Sequence, residues 1–168
     1  MIVLQTERLT LRWLCADDAA FVLELLNEPS WLRFIGDKGV RTLQDARDYI
    51  EKGPVAMVSQ HGFGLHLTEL TDGKVPIGIC GLIKRDSLPD VDLGFALLPA
   101  YWGRGYAHEA AQATLRWGIH ERGLRRIVAI TSPDNERSIK LLEKLGFVFE
   151  QTVRLTDQDE SKLFAYPL

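Results

Sequence analysis

Polar and apolar positions alternate through Arg8-Leu9-Thr10-Leu11-Arg12-Trp13, the two-residue period of a half-buried strand. Asp17-Asp18 then opens a stretch whose apolar positions Phe21, Leu25 and Leu26 recur at helical spacing, so the first unit reads as a strand followed by a helix. Residues 27–39 lose both rhythms. Pro29, Trp31, Phe34, Gly36 and Gly39 interrupt any period, and the segment reads as an irregular lid. Thr42-Leu43-Gln44-Asp45 has the form of a helix cap, which predicts a second helix reaching about Lys52.

Further on, residues 63–70 and 76–83 flank the turn Thr71-Asp72-Gly73-Lys74 as a hairpin, and residues 91–97 supply the next strand of an antiparallel meander. The pattern then alternates: a helix over 104–121 ending at Gly123, a strand over 126–130, a helix over 135–145 ending at Gly146, and strands over 147–154 and 161–166. Strands and helices interleaved in this way predict a mixed α/β (α+β) architecture. With 168 residues, 46% hydrophobic and 26% charged, residues 1–168 are expected to form a single domain.

Charge narrows the partners. The formal net charge is −3 and the signs are interspersed, so no basic footprint for nucleic acid exists. Cys15 and Cys80 are too few for a disulfide framework, lack CxxC spacing and are expected as buried thiols. His61, His66, His108 and His120 share no ligand spacing with acids or cysteines, so no metal is expected. The N-terminal residues lack a basic segment followed by a long apolar core, and no stretch approaches a membrane span, which makes the cytoplasm the expected location and excludes a membrane partner.

The run from Leu97 to Ala110 (Leu97-Leu98-Pro99-Ala100-Tyr101-Trp102-Gly103-Arg104-Gly105-Tyr106-Ala107-His108-Glu109-Ala110) carries the most chemical information. A strand breaks at a proline, passes two glycines and enters a helix. Glycine lets a backbone turn tightly and approach a ligand, and the unpaired N–H groups of a helix start attract an anion such as a pyrophosphate. Simple turn formation would use the same two glycines. No Gly-Lys-Ser/Thr follows as in a P-loop, and the long N-terminal region ahead of the strand does not suit a dinucleotide fingerprint.

A second segment lies one helix and one strand later, Thr131-Ser132-Pro133-Asp134-Asn135-Glu136-Arg137-Ser138 through Leu145-Gly146-Phe147. Together with Trp102-Gly103-Arg104-Gly105-Tyr106-Ala107 it resembles the GNAT superfamily of acetyl-CoA-dependent N-acetyltransferases, and is most similar to the branch of the ribosomal-protein N-terminal acetyltransferases (RimJ/RimL type). The resemblance runs from Thr6-Glu7-Arg8-Leu9 to Gly146-Phe147. It implies a mixed central sheet splayed between its fourth and fifth strands, helices on both faces, and acetyl-CoA in the gap. By the same analogy the N–H groups from Gly103 to Ala107 hold the pyrophosphate, and pantetheine pairs with the edge at Phe95, Ala96 and Leu97. The family's fuller pattern has Gln or Arg three residues before the first glycine, where this chain has Ala100. Since backbone groups make the cradle, that departure weakens it little, and Arg104 inside the loop can add a charged contact or remain a solvated helix-start charge.

Acetyl transfer to an amine needs a neutral amine, a polarised thioester and a fate for the leaving thiolate. The resemblance matches Asp92 to a glutamate used as general base in some members, often through water; strand alternation alone would also make Asp92 a surface charge. Asn135 and Ser138, three apart, suit a helix cap, and by resemblance they line the CoA channel with Ser138 facing the thiolate. Many members carry a tyrosine acid seven residues past this asparagine; here the residue is Leu142, which leaves Ser138 as the leading candidate and Tyr106 as a weaker one. Glu109 reads as a helix-start carboxylate favoured by the dipole.

Residues 27–39 and the late loop would face the acceptor. Glu28, Asp37, Asp157, Asp159 and Glu160 can attract an amine, while Trp31 and Phe34 can hold an apolar side chain, although ordinary loop solvation and anchoring would use the same residues. The acceptor implied by the family branch is a peptide or protein N-terminus, with a polyamine or amino sugar as the alternative, and a non-catalytic acyl-CoA sensor as a reading from another class. The chain is expected as a monomer or homodimer.

Overall fold

The computed structural model describes residues 1–156 and 159–168. Among these, eight strands make one sheet: β1 (Ile2–Gln5), β2 (Leu9–Trp13), β3 (Leu65–Leu70), β4 (Val75–Lys84), β5 (Val91–Leu97), β6 (Ile127–Thr131), β7 (Val148–Arg154) and β8 (Glu160–Tyr166). Their spatial order is β1-β2-β3-β4-β5-β6-β8-β7. Only β5 and β6 run parallel, and their pairing stops almost at once: Val91 faces Ile127, Asp92 faces Val128, and no pair follows. β5 continues to Leu97, held on its other side by β4 along its whole length. The two strands therefore part above Asp92 and leave a wedge.

Helices cover both faces. α5 (Tyr106–His120) and α6 (Glu136–Leu145) pack on one side, where Ala110, Ala111, Leu115 and Leu142 meet Leu9, Leu11, Ile77, Leu93 and Leu97. α5 lies close to the sheet, because a Cβ at Gly118 would stand 2.8 Å from Leu82 Cδ1. On the other side α1 (Ala19–Leu26) and α3 (Leu43–Ile50) bury Val22, Leu25, Leu26, Ala46 and Ile50 against Leu67 and Ile79. This is the mixed, splayed sheet that the motifs imply. The strand counted fourth from Arg8–Trp13 becomes fifth because β1, unmarked by any alternation, adds itself along β2.

Two expectations need correction. Residues 27–39 are not irregular throughout: α2 (Pro29–Phe34) forms there, with Glu28 extended at its cap and Pro29, which lacks an N–H, at its first turn, where none is needed. α3 ends at Ile50, close to the expected Lys52, but the chain does not leave helical geometry there. A wide π turn over Glu51–Val55 absorbs Pro54, and the chain resumes as α4 (Ala56–His61). The cap at Thr42 forms as the sequence suggests, its hydroxyl accepting from the Asp45 N–H.

Cysteine and histidine placement also departs from the simplest picture. Cys80 is buried, but Cys15 is exposed. His66 is fully buried between Trp13 and Trp117, with neither ring nitrogen hydrogen-bonded, and burial pushes its pKa down to about 4. Among the described residues no group of His, Cys, Asp and Glu is arranged as a metal site, and no helix is long and apolar enough to cross a membrane.

Candidate active site

The loop from Leu98 to Gly105 is pinned at its start. Leu98 N–H donates to the Ile77 carbonyl at 2.8 Å, and Trp102 Nε1 donates to the Leu97 carbonyl at 2.9 Å. Gly103 and Gly105 then adopt φ of 75° and 82°, the left-handed region that glycine enters without a Cβ penalty. With Gly105 as its N-cap, α5 begins two residues later than the apolar pattern suggests. The first internal bond of the helix is Glu109 N–H to the Gly105 carbonyl, at 3.1 Å. Among the described residues, no hydrogen bond uses the N–H groups of residues 103–108. Successive free donors at a helix start make an anion cradle.

The edge of β5 beside the cradle has the second property that acyl-CoA binding requires. Phe95, Ala96 and Leu97 are paired to Cys80, Ile79 and Gly78 on one side only; their other side faces the wedge. An extended amide-bearing chain can pair there as an added strand. The residues present thus fit acetyl-CoA at both its pyrophosphate and its pantetheine.

Asp92 occupies the apex of the wedge, as the last β5 residue paired with β6. It is not the surface charge that alternation allows: it is 1% exposed, and Arg85 Nε donates to its Oδ2 at 2.9 Å. Burial raises its pKa above the ordinary carboxylate value, with Arg85 acting against the rise. Leu93 points to the α5 side, so Asp92 faces the side of α1 and α3. Burial, with the positive field of Arg85 as the lesser cause, lowers the Lys38 ammonium pKa, and burial raises the phenol of Tyr49 in α3, with Arg85 acting against that rise.

Across the wedge, Asn135 caps α6, its Oδ1 accepting from Ser138 N–H at 3.3 Å. Ser138 is half-buried in the first turn. Arg137 stacks on Trp102 at 4.4 Å, which ties α6 to the cradle loop. Tyr106 is occupied otherwise, with the Arg8 guanidinium 4.4 Å above its ring. Arg104 is exposed.

The acceptor candidates separate. Trp31 is 5% exposed and packs into the core beneath α1 and α3, its indole N–H unbonded, so it anchors α2 instead of lining an opening. Glu28 and Phe34 are half-buried at the two ends of α2, Phe34 under the Arg33 guanidinium at 4.6 Å. Asp37 is taken by Arg41. Asp159 and Glu160 are exposed, and Asp157 lies outside the described residues. Arg33 of α2 and Asp134 of the β6–α6 loop approach to 3.7 Å, bridging the mouth of the wedge with two exposed charges.

Sequence reasoning passed over Arg8. It reaches from the N-terminal segment into the cradle loop, and Glu109, read there only as a helix-start charge, is its partner at 2.7 Å. The one legible signal was that Thr6-Glu7-Arg8-Leu9 belongs to the resemblance. A recess of about 840 Å³ follows β1 and α5 beside this pair, not the wedge, and Gly105 is the part of the cradle that borders it.

Residues 8–148 match the acetyltransferase (GNAT) domain. The chain belongs to the GNAT acetyltransferase family and is an acetyl-CoA-dependent N-acetyltransferase. It is similar to the N-acetyltransferase p20 of Bacillus licheniformis, 30% identical over 165 residues that cover 97% of this chain and 92% of that protein. The acetyltransferase from Agrobacterium tumefaciens superposes with a TM-score of 0.84 at 27% identity, covering 98% of this chain and 94% of the other. RimL, the ribosomal L7/L12 α-N-protein acetyltransferase in complex with coenzyme A, superposes with a TM-score of 0.83 over 98% of this chain and 97% of its own; at 16% identity that likeness bears on the fold alone.

Proposed function

We propose that the acceptor is the α-amine of a peptide or protein N-terminus, attacking bound acetyl-CoA directly, with Asp92 receiving its proton and Ser138 facing the departing sulfur. Asp92 carries this reading: a carboxylate held at the wedge apex, where pantetheine paired along Phe95–Leu97 would end. Its raised pKa makes it a stronger base than an ordinary carboxylate. Its side chain is shorter than a glutamate's, so one water relays the proton.

Acetyl-CoA supplies the thioester. The amine attacks in its neutral form. As its nitrogen bonds to the acetyl carbon, one proton passes through the relaying water to Asp92 and the carbon–sulfur bond breaks. A thiol has a pKa near about 8.5, so the sulfur leaves as a thiolate that needs only a hydrogen bond from Ser138. Arg85 and Lys84, whose charges act on Asp92, disfavour a polycation, whereas an N-terminus brings a single charge that it gives up to solvent before it attacks. Glu28 and Phe34 flank α2 as a polar and an apolar contact for the peptide.

The test is a thiol-release assay with acetyl-CoA and a panel of N-terminal peptides, polyamines and amino sugars. Peptides with a free α-amine should react fastest. A preference for polyamines or sugars overturns the acceptor, and acetyl-CoA binding without release to any amine makes the chain a sensor.

A further inference from the structure

We infer that Arg8 is a positioning residue of the cradle, which sets the direction of the Arg104–Gly105 peptide so that the Gly105 N–H is presented to phosphate. The inference rests on the reading of loop 103–107 as the pyrophosphate site. Arg8 comes from the turn between β1 and β2, nearly a hundred residues away in sequence, and its guanidinium has two ends in use. Nε and Nη2 both lie 2.7 Å from Glu109 Oε2, and Nη1 donates to the Arg104 carbonyl at 3.0 Å. The fork is also layered over the Tyr106 ring.

Glu109 is itself held. Thr6 Oγ1 donates to its Oε1 at 2.6 Å, and the Arg8 main-chain N–H donates to the same oxygen at 2.9 Å. These bonds and the Arg8 charge, acting against partial burial, keep the Glu109 carboxyl below its usual pKa. The carboxylate therefore stays ionised, and Arg8 neutralises it one helical turn from where an anion would bind. Without Arg8 the same carboxylate would repel phosphate.

The covalent geometry does the rest. No peptide bond among the described residues is cis, so the Arg104 carbonyl and the Gly105 N–H, which share one peptide unit, point in opposite directions. Gly105 closes this unit in the left-handed region, and a glycine there lets the peptide turn over at little cost. A carbonyl aimed at the ligand would replace a donor by an acceptor. By taking that carbonyl, Arg8 removes the wrong orientation. Lysine cannot substitute, because a single ammonium lacks the planar fork that spans Glu109 and Arg104 at once.

Amide NMR with coenzyme A as the probe tests this in the full chain, for the wild type, Arg8→Gln and Glu109→Gln. In the wild type the amides of residues 103–107 and of Phe95–Leu97 should both shift on addition of coenzyme A. In Arg8→Gln at saturation the Phe95–Leu97 amides should still shift while Gly105 stays near its free position, with affinity about tenfold weaker, or roughly 1.4 kcal/mol. Glu109→Gln, which loosens Arg8 without removing it, should show the same pattern to a smaller degree and stands in if Arg8→Gln does not fold. A Gly105 amide that responds as in the wild type, or a loss spread equally over both regions, overturns the role of Arg8. If wild-type residues 103–107 do not respond while Phe95–Leu97 do, the cradle reading falls and this inference with it.

Discussion

Residues 98–105 and residues 27–39 look alike in sequence, each placing two aromatics and two glycines between ordered elements: Tyr101, Trp102, Gly103 and Gly105 in one, Trp31, Phe34, Gly36 and Gly39 in the other. Folded, they differ in what faces the ligand. The first segment presents backbone: the N–H groups of Gly103, Arg104 and Gly105 are free, and its tryptophan serves as a peg on the Leu97 carbonyl. The second presents side chains, and folding into α2 turns its tryptophan into the core. A site made of backbone follows from chain direction and glycine placement alone. A site made of side chains depends on which way each one points, and that is set by packing partners far away in sequence.

The sharpest way to break this comparison is Trp31→Ala. As a core residue Trp31 should cost about 3–5 kcal/mol of stability when truncated, read as a lowered melting temperature or denaturant midpoint. A change confined to the acceptor KM, with stability intact, would return Trp31 to the acceptor wall and make the two segments alike after all.

Asp92→Asn removes a charge while keeping size. The rate of transfer should fall about 10²-fold with acetyl-CoA affinity near that of the wild type, and raising the pH should partly restore it by supplying neutral amine. The raised pKa of Asp92 places the wild-type loss of base function on the acid side, above the ordinary carboxylate range, since the proton must leave before the residue can act. A neutral-pH rate equal to the wild type would leave the Arg85–Asp92 pair a structural brace.

Gly105→Val strikes the backbone-made site directly. A branched side chain at φ of 82° is strained, and its Cβ would lie 3.3 Å from Arg8 Nη2. Calorimetric titration with acetyl-CoA should show affinity at least about tenfold weaker, roughly 1.4 kcal/mol. Unchanged affinity in a folded variant would show that the loop is only a turn.

The smallest effect is expected at Ser138. Ser138→Ala should slow transfer severalfold while leaving acetyl-CoA binding nearly unchanged. Stability should hardly move, because the bond that caps α6 uses the Ser138 main-chain N–H, which alanine retains. If transfer to a good amine acceptor is unaffected, the thiolate leaves unaided.

Periodicity and punctuation in the sequence determined most of the elements, because a strand that buries one face must alternate and a helix that buries a stripe must repeat near every fourth residue. β5 was bounded at Val91 and Leu97, the Thr42 cap formed, and Asn135 capped α6. The two-glycine turn into α5 was legible for the same local reason. Tertiary structure decided the rest: β1 exists because β2 offers it an edge, α4 because a wide turn accommodates Pro54, and the burial of Asp92 because β6 pairs with β5 for two residues and then diverges. Arg8 belongs to this second class. A guanidinium can bond a carbonyl nearly a hundred residues away only after the sheet and α5 have brought the two together, and no local pattern in the chain records that meeting.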